Sequence, residues 1–271
     1  MKGRVVALDQ INGRDAAALI VDGRIEDLLV DPADDRPLPG AIYRGIVDRP
    51  MKGQGGVFVK LPDGLSGFLR QVSGLAPGQR VLVQVSGVAE PGKALPLTTR
   101  LLFRARHGIA TPGAPGINIS RRLHDEDLRA SLAAQAETAM AGARDDLGMI
   151  LRSACGHADP EEVAEDLAQM RALAEAVLND LDGPPELLVD GPTAAESAWR
   201  DWADPPADDV AEGDGAFAAF GVAEMVDALL AVQVDLPGGA SMVIEPTRAL
   251  VAVDVNTGPD TSPAASLKAN I

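Results

Sequence analysis

The stretch Ala249-Leu250-Val251-Ala252-Val253-Asp254-Val255-Asn256-Thr257-Gly258 ends an apolar run with a carboxylate and a carboxamide two residues apart. Strand side chains alternate with period two, so Asp254 and Asn256 share a face that Val253 and Val255 do not, on a strand that reads as buried. A hard cation such as Mg2+ takes oxygen ligands, commonly one or two carboxylates with water and phosphate completing the shell. Asp254 has the chemistry of such a ligand, and Asn256 that of a group orienting a water or a phosphate oxygen. An Asp at a strand end followed by Asn-Thr-Gly is also ordinary turn chemistry, and the local pattern leaves both readings open.

A second kind of chemistry lies upstream. Residues 41–122 hold 12 Lys and Arg against 3 Asp and Glu, whereas residues 1–40 hold 5 against 8 and residues 123–271 hold 7 against 29. Spread evenly, the net charge of −16 would repel a polyanion. Concentrated cations instead make the middle block a candidate polyanion-binding module, with a solvated basic face as the alternative. Phe58 and Phe68, two of only five Phe, fall inside that block. Turned inward they would fill a core, a reading that alternation makes serious for Phe58.

The elements that must position these groups follow from apolar periodicity. Apolar runs in 4–31, with Asp22-Gly23 between two of them, predict strands and a hairpin, and residues 32–40 read as a linker. Runs at 41–47, 56–61, 66–69, 80–88 and 95–103, separated by Gly or Pro, predict five short strands of a small closed barrel. Residues 108–118, rich in Gly and Pro, read as loop. A helix is expected over 124–144, then a strand over 148–154. Asp159-Pro160-Glu161-Glu162 is a helix start: cap, proline at the first position and acids in the first turn. That helix should run to about Asp180, before Gly183-Pro184-Pro185. Beyond it come a strand at 186–189, a short helix at 193–202 and an acidic loop at 203–215. A helix at 222–233 precedes a hairpin turning on Pro237-Gly238-Gly239, a strand at 249–255 and the start of a helix at 263–271.

Composition excludes several classes. No run of about 18 apolar residues exists, so no membrane span is expected, and the N-terminus is charged too early for a secretory signal. Cys155 is the only cysteine, which rules out an internal disulfide and a paired-cysteine zinc site and fits a reducing cytoplasm. His107, His124 and His157 are far apart and are expected at the surface or in loops.

The hairpin Leu236 to Leu250, leading into Val253-Asp254-Val255-Asn256-Thr257-Gly258, resembles the ribonuclease E/G family at the start of its DNase I-like catalytic domain. Further likenesses follow in the same order. Ala41-Ile42-Tyr43-Arg44-Gly45-Ile46-Val47 resembles the opening of that family's RNA-binding OB fold. Val57-Phe58-Val59 and Ser66-Gly67-Phe68-Leu69 resemble its aromatic strands, and Lys93 with Leu97-Thr98-Thr99 its last strand. Gly116-Ile117-Asn118-Ile119-Ser120-Arg121-Arg122 and Gly148-Met149-Ile150-Leu151-Arg152-Ser153-Ala154 resemble its 5′-sensor region, and Glu186-Leu187-Leu188-Val189-Asp190 the return to its RNase H-like scaffold.

The resemblance implies an α+β multidomain fold. An RNase H-like scaffold (1–38 and 184–230) would carry an inserted OB-fold RNA-binding barrel (39–103) and a 5′-sensor region (104–183), followed by an incomplete DNase I-like domain (231–271). It implies a Mg2+-dependent endoribonuclease acting on single-stranded RNA in RNA processing or decay. Phe58, Phe68 and Lys93 would hold RNA, and Arg152 and Ser153 a 5′-monophosphate. Asp254 would bind Mg2+, with Asn256 positioning water or phosphate. The family's Gly-Val-Gly-Lys-Ser-like loop is replaced by Cys155-Gly156-His157-Ala158-Asp159, which weakens the expected 5′-end sensing. The family's second metal-binding Asp would lie past Ile271, so this chain is expected to be catalytically incomplete. The cysteines of the zinc link that joins protomers in longer, oligomeric members are missing from it too. A non-catalytic single-stranded RNA-binding regulator and an acidic protein-interaction scaffold are the competing readings.

Overall fold

Two tight turns organise the N-terminal strands β1 (Arg4–Ile11), β2 (Arg14–Val21) and β3 (Arg24–Val30). Asn12-Gly13 and Asp22-Gly23 both carry positive φ at each central residue (52° and 73°, 49° and 77°). That is the mirror-image turn whose twist matches paired strands. The structure is a computed structural model that describes residues 2–32, 36–51, 55–70, 74–90, 92–259, 262–264 and 267.

The expected barrel is present and closed. Strands β4 (Ile42–Met51), β5 (Gly56–Lys60), β6 (Ser66–Arg70), β7 (Arg80–Val85) and β8 (Leu95–Thr98) follow the order β4-β5-β6-β8-β7, and β7 pairs back onto β4. Only the β6–β8 pairing is parallel within this ring. This arrangement is OB-like. Val47, Val57, Val59, Leu69, Val83, Val85 and Leu97 fill the inside.

Beyond the barrel the chain builds β9 (Phe103–Arg104), β10 (Gly108–Pro112), β11 (Gly116–Ile119), α1 (Glu126–Met140), β12 (Leu147–Leu151) and α2 (Pro160–Asn179). The sheet order is β11-β12-β10-β9, so the loop expected at 108–118 is in fact two strands. Its Gly and Pro serve the strand ends and the turn between them. Gly113 N–H donates to Asp146 O, and Gly148 has no room for a Cβ against Ala114 O. Asp159 caps α2 by accepting from Glu161 N–H, with Pro160 at the first position as expected. His107, expected at the surface or in a loop, lies in the loop between β9 and β10 and is buried there. Its Nδ1 lies 2.7 Å from Asp166 Oδ2 of α2, and its backbone N–H donates to the same oxygen. Packing against α2 draws it in, and the partner carboxylate satisfies its polar ring.

Two later segments return to earlier sheets. Strand β13 (Glu186–Val189) pairs antiparallel with β4 of the barrel. Helix α3 (Ala194–Asp201), opened by a reciprocal Thr193–Glu196 capping box, sets Ala198 and Trp202 against Val6, Leu8, Ala17 and Leu19. The acidic loop expected at 203–215 contains β14 (Asp209–Glu212), parallel to β1. Its side chains are mostly exposed, so only its backbone joins the sheet, and backbone pairing leaves no apolar signature.

Arg44 joins the barrel to the end of α2 and the start of β13. Its side chain is 3% exposed, and its guanidinium donates to Pro184 O, Asp180 O and the Asp180 and Glu186 carboxylates. Gly183 (φ 151°) passes so close that a Cβ there would lie 2.8 Å from Arg44 Cζ.

The chain divides into two units, Met1–Ala216 and Phe217–Ile271. Described by itself, the second holds most of α4 (Ala216–Phe220), then α5 (Val222–Leu229), β15 (Gln233–Leu236), β16 (Ala240–Pro246) and β17 (Val251–Asn256). The three strands form an antiparallel sheet in chain order. β17 is its outer strand, and Val251 and Val253 are 61% and 57% exposed, against the buried strand expected. Most of the helix expected over 263–271 lies outside the described residues. Among the described residues no helix is long and apolar enough to cross a membrane.

Replacing Arg44 by Met takes the donor from two part-buried carbonyls, those of Pro184 and Asp180, while the half-exposed carboxylates regain water. The expected loss is about 2–4 kcal/mol of unfolding free energy, readable by urea denaturation. Cys155 is buried, with its thiol pushed up to about 11 chiefly by desolvation. Its labelling by an aromatic disulfide reagent at pH 8 should therefore be negligible in the folded protein and complete in urea.

Candidate nucleic-acid interface

Alternation along β5 and β6 turns Val57, Val59 and Leu69 inward, and therefore Phe58 and Phe68 outward. The two Phe are directly paired across the strands. Their ring centroids are 5.2 Å apart at an interplanar angle of 49°, and the Arg49 guanidinium stands 5.2 Å from the Phe58 centroid. Neither ring belongs to the barrel core, which decides between the two placements open for Phe58. Gly56, on the same face, makes room for this pair. A Cβ there would meet Phe68 Cζ at 2.6 Å and Leu69 O at 2.5 Å. Arg49 and Gly56 were not singled out from the sequence. Gly56 is two residues before Phe58, which is the signal that a same-face neighbour was kept small.

Lys93 is exposed and paired with the exposed Glu90 three residues earlier. The Lys93 hydrogen bond holds the Glu90 carboxyl below its ordinary value. The charge of Lys93 is thus shared with an acid of its own turn.

Arg152 and Ser153 follow β12, and Ser153 opens a short 3-10 turn, Ser153–His157. The Arg152 guanidinium is already engaged. Nη1 donates to Ala105 O at 2.9 Å, and Nη2 pairs with Asp201 Oδ1 of α3 at 2.8 Å. Asp201 also accepts from Arg200. Burial pushes the Asp201 carboxyl up, but hydrogen bonds and ion pairs with Arg200 and Arg152 outweigh it and hold the group below its ordinary value. No spacing in the sequence announces a partner 49 residues away.

Asp254 and Asn256 lie in the second unit on one face of β17, as expected from alternation. Register places Asp254 opposite Val243 and Asn256 opposite Ser241, with Gln233 and Asp235 next across the sheet. The other face carries Val234, Met242, Ile244, Val253 and Val255. Asn256 Oδ1 accepts from Gly258 N–H at 3.0 Å, and Gly258 (φ 80°) has Gly239 O 2.6 Å from where its Cβ would be. The turn chemistry is therefore real. It occupies the carboxamide oxygen and leaves the amide NH2 free of that bond. Asp254 is exposed. Among the described residues no group of three His, Cys, Asp or Glu could hold a metal ion. One carboxylate on an open face fits one side of a water-rich octahedral shell, the usual manner of Mg2+.

A family model for the ribonuclease E/G family matches residues 103–214 and 207–271. Across 89% of this chain, a ribonuclease E of Nostoc sp. is 26% identical and one of Synechocystis sp. 27% identical. A ribonuclease G of Haemophilus influenzae is 24% identical over the same share. The matches span 42%, 43% and 60% of those relatives.

The aromatic pair and its support should separate cleanly in stability measurements. Gly56→Ala overpacks against backbone and should cost about 1–3 kcal/mol. Phe58→Leu, outside the core, should change unfolding free energy by less than about 1 kcal/mol. Urea titration of both variants is the check.

Proposed function

The chain belongs to the ribonuclease E/G family, and on that premise we propose that it binds single-stranded RNA on the outer face of its barrel and contributes one side of an endoribonuclease site. The observation that carries this reading is the outward Phe58–Phe68 pair, with Arg49 over one ring, inside the cation-rich block. Outward-facing, partly exposed aromatic rings beside cations suit sequence-tolerant binding of a single strand. Lys93 would exchange Glu90 for an RNA phosphate.

The remaining roles rest on the same premise. The sheet of β1, β2, β3 and parallel β14, with α3 upon it, supports an RNase H-like scaffold made from residues 1–38 and 184–230. The barrel over 39–103 and a 5′-sensor region over 104–183 would be inserted in it. Residues 231–271 would open a DNase I-like domain. Arg152 and the Ser153 hydroxyl would receive a 5′-monophosphate once Asp201 gives up the guanidinium. Asp254 would hold Mg2+ from one side, and the Asn256 amide, oriented by its turn with Gly258, would donate to a phosphate oxygen. Such a cation lowers the pKa of a bound water and offsets charge on the phosphate under attack. A reducing cytoplasm suits the single buried thiol.

The test is fluorescence anisotropy with an A/U-rich single-stranded RNA at several salt concentrations. Stacking of about 1–3 kcal/mol per base predicts that a Phe58→Ala/Phe68→Ala double variant binds at least tenfold more weakly, with an unchanged salt slope. Equal affinity of the double variant and the parent would remove the barrel reading. Any Mg2+-dependent cleavage of the same RNA should disappear in Asp254→Asn.

A further inference from the structure

A groove of about 810 Å3 lies within the first unit, between the barrel, β9 and helices α2 and α3. Thr98, Arg100, Arg104, Arg106 and Trp199 are among its walls. Arg100, Arg104 and Arg106 are exposed and form no ion pair with any described residue. The acids that share the walls are bound into the fold. Asp166 accepts from His107, Asp190 from Gly191 N–H, and Glu196 from Thr193 in the capping box. Three exposed guanidinium groups are thus left to meet a ligand. Trp199 is 43% exposed, while Trp202, one turn on, is buried. An indole left on the surface beside unpaired arginines is a stacking platform next to an anion site.

The groove is continuous with the aromatic face. On β8 the outward residues are Pro96 and Thr98, since Leu95 and Leu97 point into the barrel. Pro96 is paired with Phe68, and Thr98 borders the groove. Two residues of strand are only about 7 Å. A strand laid over Phe68 and Pro96 thus enters the groove directly.

We propose that this groove is a second binding subsite for the same RNA strand, with Arg100, Arg104 and Arg106 on its phosphates and Trp199 stacked on a base. The proposal rests on the reading of the barrel as an RNA-binding module. It extends the RNA path from the barrel to the Arg152 region, because Ala105, whose carbonyl holds Arg152, is also in the groove wall.

The experiment titrates single-stranded RNA of about a dozen nucleotides into the full chain. It follows anisotropy and tryptophan fluorescence for the parent, Arg104→Gln/Arg106→Gln, Trp199→Phe and Phe58→Ala/Phe68→Ala. The side chains changed in these variants lie outside the core, and circular dichroism checks the fold of each. Loss of two phosphate contacts should weaken binding about tenfold at low salt and lower the salt slope by about 1.4, at roughly 0.7 per phosphate for a single strand. RNA should quench the parent's fluorescence, and Trp199→Phe should lose that quench. If the parent binds RNA while the double arginine variant keeps its affinity and slope, the groove subsite is wrong and the barrel reading stands. If only the groove variants weaken binding, the barrel reading falls, and with it the groove as a second subsite on a strand held by the barrel. If the parent binds no RNA, both fall. Quenching by a 5′-mononucleotide as strong as that by the strand would make the groove a small-molecule pocket and overturn the subsite.

Discussion

The first unit depends on a buried guanidinium. Arg44 comes from the barrel strand β4, and its acceptors come from the end of α2 and the start of β13. A planar group with five donors in a fixed fork can satisfy carbonyls and carboxylates from several directions at once, which an ammonium cannot. Nearby, Arg80 Nε donates to Gly183 O and β13 zips onto β4, so barrel and helical layer share three kinds of bond at one seam. The groove with Arg100, Arg104 and Arg106 lies between the barrel and the same helical layer.

A chain of net charge −16 can still present a cationic surface, because 12 of its Lys and Arg cluster with only 3 Asp and Glu in residues 41–122. Many of its acids are consumed locally. Asp125 and Asp159 cap helices, Asp166 holds His107, and Glu196 closes a capping box. What remains uncommitted around the barrel is largely arginine. Arg152, proposed to read a terminal phosphate, is by contrast already held by Asp201. The Asp201 charge is kept down to low pH by two arginines, so a phosphate must compete with a resident anion.

The second unit has a simpler logic. Its three-stranded sheet is amphipathic by register. One face bears Asp254, Asn256, Ser241 and Asp235, and the other bears Val253, Val255, Met242 and Ile244. A turn locked by Gly258 against Gly239 aims the carboxamide beside the carboxylate. Here a strand pattern and a turn pattern that look like alternatives are both realised, because the turn oxygen and the donor amide belong to the same side chain.

Local chemistry was legible in the sequence wherever the signal is carried by neighbours along the chain. The barrel strands, the Asp22-Gly23 hairpin, the proline-led helix from Asp159 and the shared face of Asp254 and Asn256 all follow from periodicity and turn stereochemistry. So does the charge block. The tertiary structure alone decided what depends on distant pairing. It turned a Gly- and Pro-rich stretch into β10 and β11 and an acidic segment into β14, because backbone hydrogen bonds are indifferent to side-chain polarity. It buried His107 by supplying Asp166, set Phe58 and Phe68 outside the core, and gave Arg152 its partner Asp201. Periodicity records which residues share a face. It does not record which face meets another element or which charge will find its partner dozens of residues away, and those two choices shape the RNA-facing surface proposed for this protein.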